Sequence, residues 1–277
     1  MAPTTSRTRA AQLERQLDAA LRAGGDPERA EGARRYLKHE LEHYGTDLPT
    51  LRAALRPVAR QPDLDRETLI ALVERLWKTP VFERRAAAAE LLAERAALLQ
   101  PADLPLLERL LRESGTWALV DTLAPRVVGP LVAAHPRLER TLDRWVGDAD
   151  FWIQRSALLA HLVPLRRGEG DFARFAGRAD RLLGEPEFFV RKAIGWVLRE
   201  RSKKRPDEVY AWLLPRAARA SGVTVREAVK YLPASQREAI LERYRPRRRD
   251  TNPVIARSEA TRRSRRRDRH GRCAPWR

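Results

Sequence analysis

Apolar residues recur at intervals of three and four along residues 13–243, and no stretch alternates for long enough to make a convincing sheet. The periodic segments predict helices over 13–22, 30–43, 66–77, 83–99, 104–112, 117–134, 151–165, 172–183, 188–201, 208–219, 224–231 and 235–243. Short punctuation separates them: Gly24-Gly25-Asp26-Pro27, Thr79-Pro80, Gln100-Pro101, His135-Pro136, Gly184-Glu185-Pro186 and Arg205-Pro206. Proline suits a first helical turn, where its missing N–H costs nothing, and stops a helix elsewhere. Many short helices with links of a few residues predict an all-α fold of stacked helical pairs.

An internal repeat points the same way. IQRSALL (153–159), VRKAIGW (190–196) and TVREAVK (224–230) each carry a basic residue at the third place: Arg155, Lys192 and Arg226. ERRAAAA (83–89) puts Arg85 in that slot, and TLRAALR (50–56) puts Arg52 there. The intervals are 33, 70, 37 and 34 residues. The 70 is two periods, and its missing member falls in LVDTLAP (119–125), where the slot holds Asp121. A period of about 35 suits a two-helix unit, slightly under the 40–47 of HEAT repeats. Equivalent positions of stacked repeats line up along one face, so the expectation is a HEAT-like solenoid with a concave basic face.

A row of basic residues near helix starts suits phosphates. A carboxylate in that row would cost affinity for nucleic acid. Asp121 therefore either pairs with a neighbouring arginine as a structural element or serves chemistry. Trp117 lies four residues before Asp121, and Trp196 four after Lys192, each on one helical face with its slot residue. Indoles in a nucleic-acid groove pack on sugars or bases; otherwise they anchor a core. Trp152, three before Arg155, reads either as a core anchor or as a residue of the groove edge.

Charge sharpens the partner class. The chain of 277 residues has 55 Lys and Arg against 37 Asp and Glu, a net of +18, which points to a polyanion. Residues 245–277 hold 13 Arg against Asp250, Glu259 and Asp268 and have no apolar period. That tail is expected to be disordered, as a phosphate-binding arm or a solubilising extension. Residues 1–10 are expected to be mobile, leaving 11–244 as the folded domain. The single cysteine, Cys273, excludes an internal disulfide framework and a cysteine-rich metal site. The longest charge-free runs, 127–136 and 156–165, fall short of the ~18 residues of a spanning helix. With no apolar core at the N-terminus either, the expected location is the cytoplasm, on the bacterial nucleoid when bound to DNA.

Several motifs resemble a family. SGTWALVD (114–121), DFWIQRSALL (150–159), EFFVRKAIGWVLRE (187–200), LWKTPVFERRAAA (76–88) and SGVTVREAVKYLP (221–233) are similar to segments of DNA alkylation repair glycosylases of the AlkD type. YLKHELEHYGTDLPTLR (36–52) extends the resemblance to roughly residues 30–243. It implies HEAT-like repeats around DNA and removal of N3- and N7-alkylated purines without metal or cofactor. In the W-x-x-x-D motif it implies catalytic roles for Asp121 and Trp117, with Trp196 as a second sugar-facing indole. Arg155 falls on the groove arginine, and Lys192, Arg85, Arg226 and Trp152 join it as candidate DNA contacts. The expected partner is double-stranded DNA with alkylated purines, bound by a monomer without contact to a membrane.

The chemistry implied is undemanding. Alkylation at N3 or N7 makes the purine cationic, so it leaves as a neutral base. The barrier is the oxocarbenium charge growing on the sugar, which a fixed carboxylate stabilises while positioning water. Indole faces stabilise the same charge. No lysine in 117–121 offers a Schiff-base nucleophile, which predicts a monofunctional hydrolase. Two rival readings remain. A helical-repeat protein can bind DNA without catalysis. And His39-Glu40-Leu41-Glu42-His43 matches the H-E-x-x-H pattern of zinc metalloproteases on a predicted helix, without a marked third ligand.

Overall fold

In the computed structural model, which describes residues 2–244, the helices begin where short polar side chains can cap them. Asp26, Asp47, Asp65, Thr116, Asp150, Asp171 and Ser221 each accept a hydrogen bond from a free N–H of the turn that follows. The helices are α1 (Ala2–Ala23), α2 (Pro27–Leu37), α3 (Leu48–Ala59), α4 (Arg66–Lys78), α5 (Phe82–Glu94), α6 (Leu104–Arg112), α7 (Trp117–Leu123) and α8 (Gly129–Ala134). They continue as α9 (Glu139–Trp145), α10 (Phe151–Leu159), α11 (Leu162–Arg166), α12 (Phe172–Leu182), α13 (Phe188–Ser202), α14 (Pro206–Leu213), α15 (Gly222–Ala228) and α16 (Ala234–Arg243). Among the described residues there is no strand beyond one isolated bridge, Glu42 with Val81. The fold is all-α.

The repeat is visible as two layers. In one, α3 packs on α5, α5 on α7, α7 on α10, α10 on α13 and α13 on α15. The slot residues ride on these helices in one register. Arg52, Asp121, Arg155, Lys192 and Arg226 each stand fifth in their helix, and Arg85 stands fourth. The other layer, α4, α6, α9 and α12, is stitched by ion pairs one repeat apart. Arg109 reaches Glu74, Arg144 reaches Glu108, Arg178 reaches Asp143 and Arg216 reaches Asp180. Arg178 is buried, but the other three pairs are at least partly exposed and add little stability; together they report the period. Between the layers lies one leucine-rich core, with Trp77, Trp145 and Phe175 fully buried.

Residues 1–10 carry the expectation of mobility; residues 2–10 lie in α1, where Ala10 is buried and Arg9 donates to Gln61 and to both the carbonyl and carboxylate of Asp63. Two expectations are corrected. The helix expected over 30–43 ends at Leu37, because Lys38 takes the left-handed conformation (φ 52°) and caps it. His39 and His43 therefore never share a helical face. Their rings stack on one another (centroids 5.0 Å apart) and on Phe82 instead. Among the described residues no group of three potential ligands could hold a metal ion, so the metalloprotease reading has no geometry behind it. The Arg-rich tail, 245–277, lies outside the described residues.

The helix expected over 117–134 runs through, but not regularly. Between α7 and α8, residues Ala124–Val128 form a π-turn, and Gly129 N–H donates to the Ala124 carbonyl five residues back. Pro125 has no N–H to offer the Asp121 carbonyl, which breaks the α-helical ladder there. Gly129 is required by a close approach: a Cβ there would stand 2.5 Å from the Ala160 carbonyl oxygen. The 18 residues Trp117–Ala134 are apolar and long enough to cross a membrane, at mean hydropathy 1.2. Here they are an interior helix packed on α5 and α10, with Asp121 and Arg126 along it.

Candidate active site

The Asp121 slot faces the next repeat. Arg155, fifth in α10, donates from Nε to Asp121 Oδ1 and from Nη2 to Oδ2, both at 2.9 Å. Its Nη1 donates to the Phe189 carbonyl, at the start of α13. One guanidinium thus ties α7, α10 and α13 together. It is 3% exposed at the side chain, and Asp121 is 15% exposed. Burial pushes the Asp121 carboxyl above the usual carboxylate range, and the charge and hydrogen bonds of Arg155 pull the other way.

Two half-buried indoles flank this pair. Trp117 is one turn before Asp121 on α7, and Trp196 on α13 has its ring centroid 6.0 Å from the Arg155 guanidinium carbon. The Phe189 ring lies 5.9 Å from the same carbon. Tyr36, at the end of α2, meets Trp117 edge to face with centroids 5.9 Å apart, and is 66% exposed. That contact places Tyr36 beside the site. Tyr36 opens the YLKHELEHYGTDLPTLR segment, whose pattern does not mark it. Its signal is weak, because only the left-handed cap at Lys38 ends α2 there.

Other expected contacts separate from this centre. Arg155 is buried, and its Nε, Nη1 and Nη2 each donate within the protein, so here it holds Asp121 and the Phe189 carbonyl rather than standing free for phosphate. Trp152 is a core residue, 8% exposed, packed against Phe151 and Phe189 at 4.5 and 4.9 Å. Arg85 donates to the Glu113 carbonyl at 2.6 Å and lies over Trp77, which commits it to an earlier repeat. Lys192, one turn before Trp196, donates to Glu227 at 2.8 Å while remaining partly exposed. Arg226 is exposed. Asp121, Arg155, Trp117 and Trp196 therefore converge, Lys192 adjoins them, and Arg85 does not.

This arrangement supplies one oriented carboxylate, a buried cation that fixes it, and aromatic faces beside it. It can stabilise a growing positive charge and accept a proton from water.

The family model for DNA alkylation repair enzymes matches residues 17–232. A solved structure named a predicted DNA alkylation repair enzyme from Enterococcus faecalis resembles the fold with a TM-score of 0.67 at 24% identity. The match covers 76% of this chain and 97% of that one. No curated protein matches the chain.

Proposed function

The chain belongs to the DNA alkylation repair enzyme family, and from that premise we propose that it is a monofunctional DNA glycosylase for N3- and N7-alkylated purines. The observation that carries this reading is the Asp121 carboxylate, held at both oxygens between two half-buried tryptophans.

The C1′–N bond breaks with its electron pair passing to the cationic base, which leaves neutral. The sugar takes on oxocarbenium character. Asp121 stabilises that charge through space, and Trp117 and Trp196 do so through their ring faces. Water then adds its oxygen to C1′ and gives its proton to Asp121, leaving an abasic site in the DNA. Arg155 fixes the direction of the carboxylate and favours its ionised form. The protein works as a monomer on duplex DNA in the cytoplasm, and the residues named need no cofactor for these steps.

One observation favours the second reading, a non-catalytic DNA-binding repeat protein: both Asp121 oxygens are already engaged by Arg155. Incubation with duplex DNA carrying N7-methylguanine or N3-methyladenine separates the two. The glycosylase reading expects free base and abasic sites that cleave only with alkali. Bound DNA without release supports the scaffold, and strand cleavage without alkali contradicts monofunctional chemistry.

A further inference from the structure

Beyond Trp196 the ion pairs change character. Glu227 accepts from Lys192 at 2.8 Å, from Lys230 at 2.7 Å and from Arg199. Arg199 also touches Glu200 at 3.4 Å, which takes Arg166 at 3.0 Å and Lys203 at 2.9 Å. Five cations therefore surround two carboxylates, a net of +3.

Other clusters come close to balance. Glu90 and Glu94 meet Arg52 and Arg126, a net of zero. Glu108, Asp148 and Asp150 meet Arg112 and Arg144, a net of −1. Glu14 and Asp18 meet Arg22, Arg75 and Arg84, a net of +1. Five cations at one place repel one another, and two carboxylates offset only part of that charge.

The carboxylates are buried and the cations are not. Glu200 and Glu227 are 5% and 7% exposed as residues, whereas the Lys192, Lys203, Lys230 and Arg166 side chains are 38–48% exposed. Burial pushes the Glu227 carboxyl up, yet its cations hold it down to about 2, so it stays charged. The buried acids thus act as anchors that fix the lysine heads and leave surplus charge at the surface. Tyr231, 54% exposed, has the Lys203 ammonium 4.8 Å from its ring centroid and offers a phenol beside it.

We propose that the cluster Lys192, Arg199, Lys203 and Lys230, anchored on Glu200 and Glu227 with Tyr231 at its edge, is a seat for the phosphodiester backbone of duplex DNA flanking the lesion. It rests on the DNA reading above and extends it one repeat past Trp196, since Lys192 is one turn from that indole. Ammonium groups suit phosphate as point charges, and a tyrosine hydroxyl donates to the same oxygens. Phosphate contacts carry no sequence information, so the seat positions DNA without regard to sequence.

The test is DNA affinity across salt concentrations for the full chain and three variants. Lys203→Ala with Lys230→Ala removes two cations while leaving both glutamates paired to others. This double variant is expected to flatten the slope of log K against log salt by roughly 1.8, about 0.9 per phosphate contact. Tyr231→Ala is expected to weaken binding about 2- to 10-fold with the slope unchanged. Arg137→Ala with Arg140→Ala removes the same charge from an exposed site elsewhere and is expected to keep the wild-type slope. A double lysine variant with the wild-type slope overturns the seat, as does an equal flattening in the Arg137/Arg140 control. A wild-type chain that binds no DNA at any salt overturns the DNA reading itself.

Discussion

Asp121 and Arg155 occupy the same slot in neighbouring repeats, and they meet as a two-point ion pair with both oxygens at 2.9 Å. The guanidinium is nearly inaccessible, so its charge serves the carboxylate rather than solvent. Removing it leaves a buried carboxylate uncompensated. Arg155→Ala is expected to cost about 3–5 kcal/mol of stability in urea unfolding. Arg155→Lys is expected to recover only part, since an ammonium cannot span both oxygens. The salt slope of DNA binding is expected to stay at wild type in either variant, because this cation is engaged by Asp121 and the Phe189 carbonyl.

The same pair sets a pH dependence. Asp121 works ionised, and burial raises its carboxyl above the usual range. Base release is therefore expected to fall as pH drops through that raised value. Arg155 opposes the rise, so the acid limb of Arg155→Ala should move to higher pH. In stability the sign is opposite: the native state keeps this proton longer than the unfolded chain, so Asp121 destabilises the fold as pH rises through that window. A single-turnover pH profile of wild type and variant measures the shift, and coincident acid limbs would remove Arg155 from control of Asp121.

Two histidines predict acid sensitivity of the fold. Burial pushes His39 down to about 4, helped by the neighbouring His43. Burial and the Arg178 cation push His161 down to about 4 as well. Each folded value lies below the unfolded 6.5, so the unfolded chain takes up protons first. Their contribution is complete above pH 6.5 and is lost as pH falls towards 4. Urea midpoints should decline over that interval, and His161→Leu should shallow the decline.

The π-turn carries its own test. A methyl at residue 129 would meet the Ala160 carbonyl at 2.5 Å, with backbone on both sides. Gly129→Ala is expected to cost about 1–3 kcal/mol through overpacking. A thermal midpoint equal to wild type would mean that α8 can shift away from α10.

Much of this was legible in the chain. The period of the slot residues foretold their common register, because stacked repeats must present equivalent positions alike. Trp117, Asp121, Arg155 and Trp196 were marked by local spacing, and they converge. What failed to show was anything decided across repeats. Arg155 looked like its basic neighbours, but only packing reveals that Asp121 and a backbone carbonyl enclose it. Spacing left Trp152 between core and groove edge, and only its packing on Phe189 makes it a core residue. The His39–His43 spacing suggested one helical face, but Lys38 ends α2 one residue before His39, a backbone choice that periodicity does not report. Tyr36 became a candidate only through its contact with Trp117. Glu200 and Glu227 read as ordinary acids in a charged sequence, and only their burial separates them from the rest.

Release of N7-methylguanine from duplex DNA by the wild type and by Asp121→Asn tests the central claim most directly. Free base is resolved chromatographically at saturating protein. The wild type is expected to release it, and the variant to do so about 10²-fold or more slowly while still binding the DNA. Equal rates would remove Asp121 from the chemistry, and a folded, DNA-bound wild type that releases no base would contradict the glycosylase account.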